Sequence, residues 1–188
     1  MIKEEIRDSE LYKDLEPVAT SLGFCIVDAE VYKKSDEIKV SLVIASKEKD
    51  VTIDDCETFH RAVEPRLELR YGRDLLSMEV STAGLQRTFK DFNEFDVFSG
   101  KTVRLYSKEK GSWVVGENRG LVDNRIELGN YKVEDSSETG ESLFLEKEDI
   151  QKAKLEFVWE TAEDKKRKNQ ISQKKNKGNN RLGDSADV

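Results

Sequence analysis

Residues 101–159 consist of short apolar stretches separated by turn residues, and this pattern restricts the fold more than any other feature of the sequence. Apolar and polar side chains alternate within the stretches, as in strands that bury one face. Many short strands at close spacing are typical of small barrels, which leave no exposed sheet edge. The sequence therefore predicts that residues 101–160 form a small β-barrel. After a first strand near residue 103, the predicted runs are 113–115, 119–122, 125–128, 131–133, 143–146 and 153–159.

Residues 1–88 mix helical and strand patterns in the order α-β-β-α-β. Four apolar residues recur at spacings of four, three and four, which predicts a helix over about residues 3–22 that ends at Gly23. Two alternating runs, 24–32 and 38–44, are joined by a short polar link and predict an antiparallel hairpin. The expected fold class is therefore α+β, with a KH-like sheet that carries its helices on one side. The residues on the helical face are Leu11, Leu15, Val18 and Leu22.

The second helix has a clear start signal. Thr52 suits the N-cap position, and Asp55 three residues later approximates a capping box. Pro65 interrupts the helical pattern and predicts a bend or a split. The buried face is predicted to contain Cys56, Phe59, Val63 and Leu67.

The charge of the chain is divided between an acidic body and a basic tail. Residues 165–181 carry eight Lys or Arg and no acid, so the net charge of −7 leaves −13 on residues 1–164 once Asp184 and Asp187 are allowed for. Such a distribution suits a mixed partner, for example a particle of basic proteins and anionic RNA. The alternative is that the acidic charge only keeps the protein soluble.

The tail, residues 161–188, is predicted to be disordered, because it has no hydrophobic periodicity and is rich in Lys, Asn and Gln. It lacks aromatic rings for base stacking, so it could contact RNA only through phosphate attraction. The alternative is a solvated, dispensable extension. The candidate tail cations are Lys165, Lys166, Arg167, Lys168, Lys174 and Lys175.

The compartment predicted from composition is the cytoplasm. There is no run of about 18 apolar residues and no apolar signal core at the N-terminus. Two cysteines, Cys25 and Cys56, fit a reducing environment and are expected to be buried thiols.

A third predicted strand, from Leu76 to Val80, runs into a small polar corner. Ser81 and Thr82 can bond nearby backbone groups, and Gly84 can adopt a positive φ. Arg87 brings five donors that suit a carboxylate or phosphate. The residues alone favour an ordinary strand exit in which Arg87 pairs with a local carboxylate.

The corner resembles the signature of the bacterial ribosome maturation factor family RimP, which reads Ser-Ser/Thr-Pro-Gly-Leu-Asp-Arg-Pro. Five positions match and three differ; the segments 22–28, 51–56 and 95–103 also resemble the family. The matching residues are Ser81, Thr82, Gly84, Leu85 and Arg87, and the departures are Ala83, Gln86 and Thr88. The departures predict a corner that is less rigid than in the family.

The resemblance implies an assembly factor that binds the free or immature 30S subunit and helps to load a basic ribosomal protein. It also implies that the C-terminal barrel is SH3-like or Sm-like, and that the five matching residues shape a corner between two domains or bind the partner. The expected protein is a monomer that needs no cofactor and has no membrane partner.

Residues 89–100 form a predicted connector between the domains. Phe92, Phe95 and Phe98 recur every three residues, which predicts a short helix with an apolar side. We expect these rings to pack the interface between the domains; a stacking platform for nucleic-acid bases is the alternative.

No catalytic constellation is recognised, so the sequence predicts a protein that is not an enzyme. Cys56 and His60 could share a helix face, but a metal site needs three or four ligands. Asp54 and Asp55 diverge by about 100° on a helix, so capping explains them better than acid–base work. A hydrolase using Asp54, Asp55 or Cys56 is the least favoured hypothesis.

The main alternative to an assembly factor is a general RNA-binding module. In that case one barrel face, with Arg104, Tyr106 and Lys108, would bind RNA together with the tail. The charge of −13 on the body weighs against it, because phosphate repels carboxylate.

Overall fold

The computed structural model describes Ile2, residues 6–35 and residues 37–157. The expected tail, 161–188, and Trp159 of the expected last strand lie outside these residues. The helices are α1 (Glu10–Ser21), α2 (Ile53–Tyr71) and α3 (Glu94–Val97), with 3₁₀ turns at Ile6–Asp8 and Lys147–Asp149. The strands are β1 (Cys25–Lys34), β2 (Glu37–Ala45), β3 (Leu76–Thr82), β4 (Thr102–Ser107), β5 (Ser112–Val122), β6 (Arg125–Val133), β7 (Thr139–Glu146) and β8 (Ile150–Leu155).

Helix α1 begins later than its hydrophobic period predicts. Ser9 lies in extended backbone, and its side chain accepts a hydrogen bond from the Tyr12 amide at 3.1 Å. This N-cap bond starts the helix at Glu10, so the expected start near residue 3 is wrong. The expected end is confirmed, because Gly23 has a φ of +77° directly after the last turn.

Helix α2 has the predicted capping box. The Asp55 amide donates to Thr52 Oγ1 at 3.3 Å, and the Thr52 amide donates to Asp55 Oδ2 at 2.9 Å. The expected apolar residues are buried. Pro65 lies inside one continuous helix, so the helix is not split at this residue.

We expect Asp55→Asn to destabilise the protein at neutral pH and to lose this effect in acid. A hydrogen bond from Lys49, and then one from the Thr52 amide, lower the pKa of Asp55 to about 2. A carboxylate with a lowered pKa stabilises the fold above its unfolded pKa and stops doing so as the pH falls through the folded value. Chemical unfolding of wild type and variant should therefore converge between about pH 4 and pH 2. Asp54→Asn, in the same turn without a capping bond, is the control; equal pH dependence in both would contradict the prediction.

The N-terminal sheet has three strands in the order β1-β2-β3. Strands β1 and β2 form the predicted antiparallel hairpin, from Cys25 opposite Ala45 to Lys34 opposite Glu37, with an irregularity between Ile26 and Asp28. Strand β3 joins β2 in parallel, because α2 carries the chain back to the starting end. The sheet is therefore mixed.

The C-terminal sheet has five antiparallel strands in the order β7-β6-β5-β4-β8. The sequence predicted two strands over 113–115 and 119–122, and two more over 125–128 and 131–133. This is wrong, because β5 and β6 each run through the intervening residues with register shifts along their pairing. Gly116 lies within β5, where a Cβ would come to 3.0 Å from the Gly129 carbonyl oxygen. The close approach of β6 therefore accounts for a glycine at this position.

A closed barrel is not shown by this sheet. Strands β7 and β8 are its two edges, and in the described part of the chain no ladder joins one to the other. The fold class is α+β: a mixed sheet with helices, followed by an antiparallel sheet.

Two hydrophobic clusters pack against opposite faces of the N-terminal sheet. One holds the buried residues of α1 and α2 with Val40, Leu42 and Ile44 of the sheet. The other holds the C-terminal sheet core, the connector phenylalanines, and Val27 and Ala45.

The connector phenylalanines are therefore packing residues. Phe92, Phe95 and Phe98 are at most 8% exposed, and Phe89 lies 5.0 Å from Phe95 between ring centroids. Rings this deeply buried have no free face for a base, so the stacking-platform alternative is wrong. None of the helices in the described ranges is both long enough and apolar enough to span a membrane.

Candidate functional site

The corner after β3 passes from an exposed apolar residue to a buried cation within three residues. Gly84 turns the chain with a φ of +71°, a conformation that side chains disfavour. Leu85 is 65% exposed, whereas the Arg87 side chain is only 8% exposed. Side chains so close in sequence therefore lie in very different surroundings.

Arg87 joins three segments of the chain. Its guanidinium pairs with Glu94, through Nε to Oε2 and through Nη2 to Oε1 at 3.1 Å. Nη2 also donates to the Val27 carbonyl oxygen of β1 at 2.7 Å and lies 3.9 Å from Asp28 Oδ2. The local carboxylate favoured by the sequence is Glu94. The donors of Arg87 are thus directed into the protein.

Glu94, the acidic partner, is 2% exposed at the start of α3. Its Oε1 accepts the amides of Lys90 at 2.7 Å and Asp91 at 3.2 Å. Burial raises the pKa of Glu94, while the hydrogen bond and charge of Arg87 act in the opposite direction. The charged form is held by donors on both oxygens, as a buried carboxylate requires.

Lys90 covers the outer side of this pair. Its Nζ lies 2.6 Å from Asp28 Oδ2 and 2.9 Å from Glu30 Oε1. The hydrogen bond to Asp28 is the largest cause that raises the pKa of Lys90. The connector is thus tied to β1 by two neighbouring cations, one buried and one half-exposed.

The chain after the corner is tied to the C-terminal sheet. The Leu155 amide donates to the Arg87 carbonyl oxygen at 2.9 Å, and the Phe89 amide donates to the Ala153 carbonyl oxygen at 2.8 Å. Arg87 therefore links β1 and α3 through its side chain and β8 through its backbone.

Asn118 of β5 is a further anchor, and the sequence did not single it out. It is fully buried, and its Nδ2 donates to the carbonyl oxygens of Phe95 at 2.7 Å and Phe98 at 2.8 Å. Its Oδ1 accepts the Gly120 amide at 3.0 Å. The end of α3 is thereby fixed to the C-terminal sheet. The sequence signal that could have singled out Asn118 is a polar residue between two glycines, Gly116 and Gly120.

Comparison with known proteins identifies the family. The family model described as the RimP N-terminal domain matches residues 14–86. The ribosome maturation factor RimP of Borrelia recurrentis (strain A1) is 32% identical over 100 residues, covering 52% of this chain and 67% of the relative. That of Borrelia turicatae (strain 91E135) is 32% identical over 102 residues, covering 53% and 68%. The chain belongs to the RimP family. The resemblance to the RimP family is therefore confirmed.

The RimP signature can now be placed in the structure. Ser81 and Thr82 end β3, and Gly84 and Leu85 are exposed. Of the departures, Ala83 packs against the C-terminal core, whereas Gln86 is exposed and makes no side-chain hydrogen bond within the described ranges. Gln86, which replaces the acid of the RimP signature, therefore takes no part in the hydrogen bonds and ion pairs of Arg87.

On the C-terminal sheet, the residues of the expected RNA face make local contacts. Arg104 Nη2 lies 2.5 Å from Glu134 Oε2. The guanidinium carbon of Arg104 lies 4.8 Å from the ring centroid of Trp113, over the face of the ring. The Tyr106 hydroxyl donates to the Gly111 carbonyl oxygen at 3.2 Å, and Lys108 Nζ donates to the Glu148 carbonyl oxygen. The tail residues Lys165, Lys166, Arg167, Lys168, Lys174 and Lys175 lie outside the described residues.

The candidates for hydrolase chemistry are not brought together as a catalytic group. Asp55 serves the helix cap, and burial raises the pKa of Cys56, which disfavours the reactive thiolate. In the residues that the structure describes, no three His, Cys, Asp or Glu side chains are grouped to hold a metal ion.

Proposed function

We propose that this chain binds the free or immature 30S subunit in the cytoplasm and helps to load a basic ribosomal protein. The match to relatives named ribosome maturation factor RimP carries the proposal. Ribosome maturation is the role that this name states; the 30S particle and the basic protein are what we add. The role is one of binding, without catalysis or a cofactor.

The charge distribution supports a basic protein partner. Residues 1–164 carry −13, and opposite charges on two partners speed their encounter and select orientation. The eight cations of residues 165–181 would add attraction to rRNA phosphates that weakens with salt. A ribonucleoprotein offers both kinds of surface.

Some corner residues would fix the position of the C-terminal sheet, and others would contact the partner. Arg87 is buried in its ion pair, so we assign it the positioning of the C-terminal sheet relative to β1. Leu85 is exposed beside it and is free to contact a partner. Ser81, Thr82 and Gly84 would shape the turn that presents Leu85.

We also propose a monomer with the domain division drawn from the sequence. Residues 1–88 would form the N-terminal domain, 89–100 the connector and 101–160 an SH3-like or Sm-like barrel, with the basic tail of residues 161–188 outside the described residues. The antiparallel order of the five described strands is compatible with such a barrel.

Co-sedimentation of the purified chain with separated ribosomal subunits tests the proposal. We expect the chain to pellet with 30S and not with 50S subunits. Cells without the protein should accumulate fewer mature 30S subunits at near-normal 50S levels on sucrose gradients. If the chain binds neither subunit and the gradient profile of cells without it is unchanged, the assembly role is wrong.

Leu85→Ser should weaken 30S binding about tenfold while leaving the fold intact. Burying a leucine side chain in an interface contributes about 1.5–3 kcal/mol, and 1.4 kcal/mol corresponds to tenfold in affinity. Leu69→Ser is the matched control, because Leu69 is 90% exposed on α2 and is not part of the signature. Binding curves from co-sedimentation decide; equal weakening by both variants would contradict a specific contact at Leu85.

The basic tail favours a second candidate, direct binding of RNA. A gel shift with free ribosomal RNA separates the two functions. Tight binding to free RNA would favour the RNA-binding module, whereas binding only to the 30S particle would favour the assembly factor.

A further inference from the structure

Strand β7 is an open edge of the C-terminal sheet. It runs for eight residues, Thr139–Glu146, and pairs with β6 on one side only. The opposite edge, β8, is partly covered, because Thr88 forms an isolated bridge with Lys154. In the described part of the chain, no segment covers β7 in this way. Alternate amides and carbonyls of an edge strand point away from the sheet, so those of β7 are available to another strand.

The usual protections of an edge strand are missing from β7. Proteins discourage the addition of a strand with prolines, lysines, bulges or very short edges. Strand β7 contains neither proline nor lysine, and its pairing with β6 has no register shift. The charged side chains that it does carry are two carboxylates, Glu141 and Glu146. The backbone therefore admits a further strand, and charge is left to select which one.

The charge of this edge is predominantly negative. Residues 134–149 contain seven acids and one lysine, and β6 beside them adds a net charge of only +1 from two cations and one acid. Glu141, Glu146 and Glu148 are exposed, and their carboxylates form no ion pair within the described ranges. Opposite charges on neighbouring strands stabilise their pairing, and like charges destabilise it. A second copy of β7 is therefore repelled, whereas a basic strand is attracted.

The two sides of β7 differ in what they offer to an added strand. Leu143 and Leu145 pack against the core of the C-terminal sheet, so they offer an apolar neighbour on that side. Phe144 is 45% exposed on the other side, where the guanidinium carbon of Arg125 lies 5.2 Å from its ring centroid. Glu146 lies on the same side as Phe144, because side chains two residues apart share a face. The edge therefore suits a strand in which basic and apolar residues alternate.

We propose that β7 accepts an extended basic segment of a protein partner as an added strand. The proposal deepens the proposed function and rests on it for the identity of the partner as a basic protein. Main-chain hydrogen bonds supply affinity in this mode of binding, and the carboxylates select a basic segment. Strand β3, an edge of the N-terminal sheet, is less suited, because its one acid, Glu79, already pairs with Lys39 at 2.9 Å.

The test uses an end-blocked peptide, Lys-Val-Lys-Val-Lys-Val, as the probe. NMR of the full chain should show alternate β7 amides that exchange rapidly with solvent in the free protein and slowly once the peptide is added. The peptide with Glu in place of each Lys should not bind. The Lys peptide with every backbone amide N-methylated keeps its charges but loses its main-chain donors, so it should bind more weakly by about tenfold or more.

A pair of double variants tests the role of charge. Glu141→Gln with Glu146→Gln should weaken binding of the Lys peptide about fivefold at low salt, because it removes both carboxylates of β7. Glu37→Gln with Asp74→Asn is the matched control, since it removes two exposed carboxylates outside β7 and should leave peptide binding unchanged. All four positions are exposed, so both variants should fold as wild type does.

The proposal is overturned if the N-methylated peptide binds as tightly as its parent, if both double variants lose affinity equally, or if the peptide leaves β7 unprotected. Protection of β7 in the free chain that increases with protein concentration would also overturn it, because a second copy would then occupy the edge. None of these measurements involves ribosomes. A failure here therefore leaves the 30S co-sedimentation result standing. A chain that binds the peptide but not the 30S subunit keeps the strand-addition site and loses the assembly role.

Discussion

Arg87→Met should lower the free energy of unfolding by about 3–5 kcal/mol, the cost typical of removing one partner from a buried ion pair. The side chains of Arg87 and Glu94 are 8% and 2% exposed, so water cannot replace the lost guanidinium. The variant also leaves the Val27 carbonyl oxygen without its Arg87 donor. Denaturant unfolding of the full chain measures the loss.

Two further variants isolate the cause of this loss. Arg73 makes a two-bonded pair with Glu68, at 2.9 Å for each bond, but its side chain is 80% exposed. Arg73→Met should therefore have a much smaller effect than Arg87→Met. The double variant Arg87→Met, Glu94→Gln should recover part of the stability, since glutamine keeps an acceptor for the Lys90 and Asp91 amides without a buried charge.

The loss in Arg87→Met should also shrink in acid. Without the cation, only the Lys90 and Asp91 amides oppose the effect of burial on Glu94, so its pKa rises further. A carboxyl whose folded pKa is raised takes up a proton in the fold before it does so when unfolded, so the variant gains stability as the pH falls from neutral towards the ordinary glutamate value of about 4.3. Unfolding at pH 7 and pH 5 tests this, and a loss that grows in acid would refute the buried-charge explanation.

Local signals predicted the N-terminal half well. Thr52 and Asp55 formed the capping box, Gly23 ended α1, and the β1–β2 hairpin paired as its alternation indicated. Each of these features depends on residues a few positions apart. The start of α1 was missed because the apolar period continues to fit a helix there, while the Ser9 cap determines where the helix begins.

The candidate site was predicted only in part, because its partners come together through the tertiary fold. The sequence indicated that Arg87 would pair locally, but it gave no reason to choose Glu94 among nearby acids. The bonds from Arg87 to Glu94 and to the Val27 carbonyl oxygen depend on the connector packing against β1. No periodicity within one segment can reveal such an arrangement. The functional roles of the corner residues stay predictions.

Asn118→Leu should cost about 3 kcal/mol or more, because it removes three buried hydrogen bonds at once. The Phe95 carbonyl oxygen loses its Nδ2 donor and the Gly120 amide loses its Oδ1 acceptor, whereas the Phe98 carbonyl oxygen keeps the Lys101 amide at 3.2 Å. Each buried polar group left without a partner costs about 1–3 kcal/mol. Leucine keeps the branching at Cγ but is larger than asparagine, so crowding adds to this loss. Denaturant unfolding measures it.

Asn118→Asp separates the hydrogen bonds from the shape of the side chain. Its carboxylate would face two carbonyl oxygens in place of the amide donor, so its pKa should be raised in the fold. The variant should be strongly destabilised at pH 7 and recover in acid, where the protonated carboxyl can again donate one hydrogen bond. Asn124→Asp, an exposed change of the same kind in the turn between β5 and β6, should show little of this pH dependence. If Asn118→Asp unfolds like wild type at pH 7, Asn118 does not hold the end of α3 to the sheet.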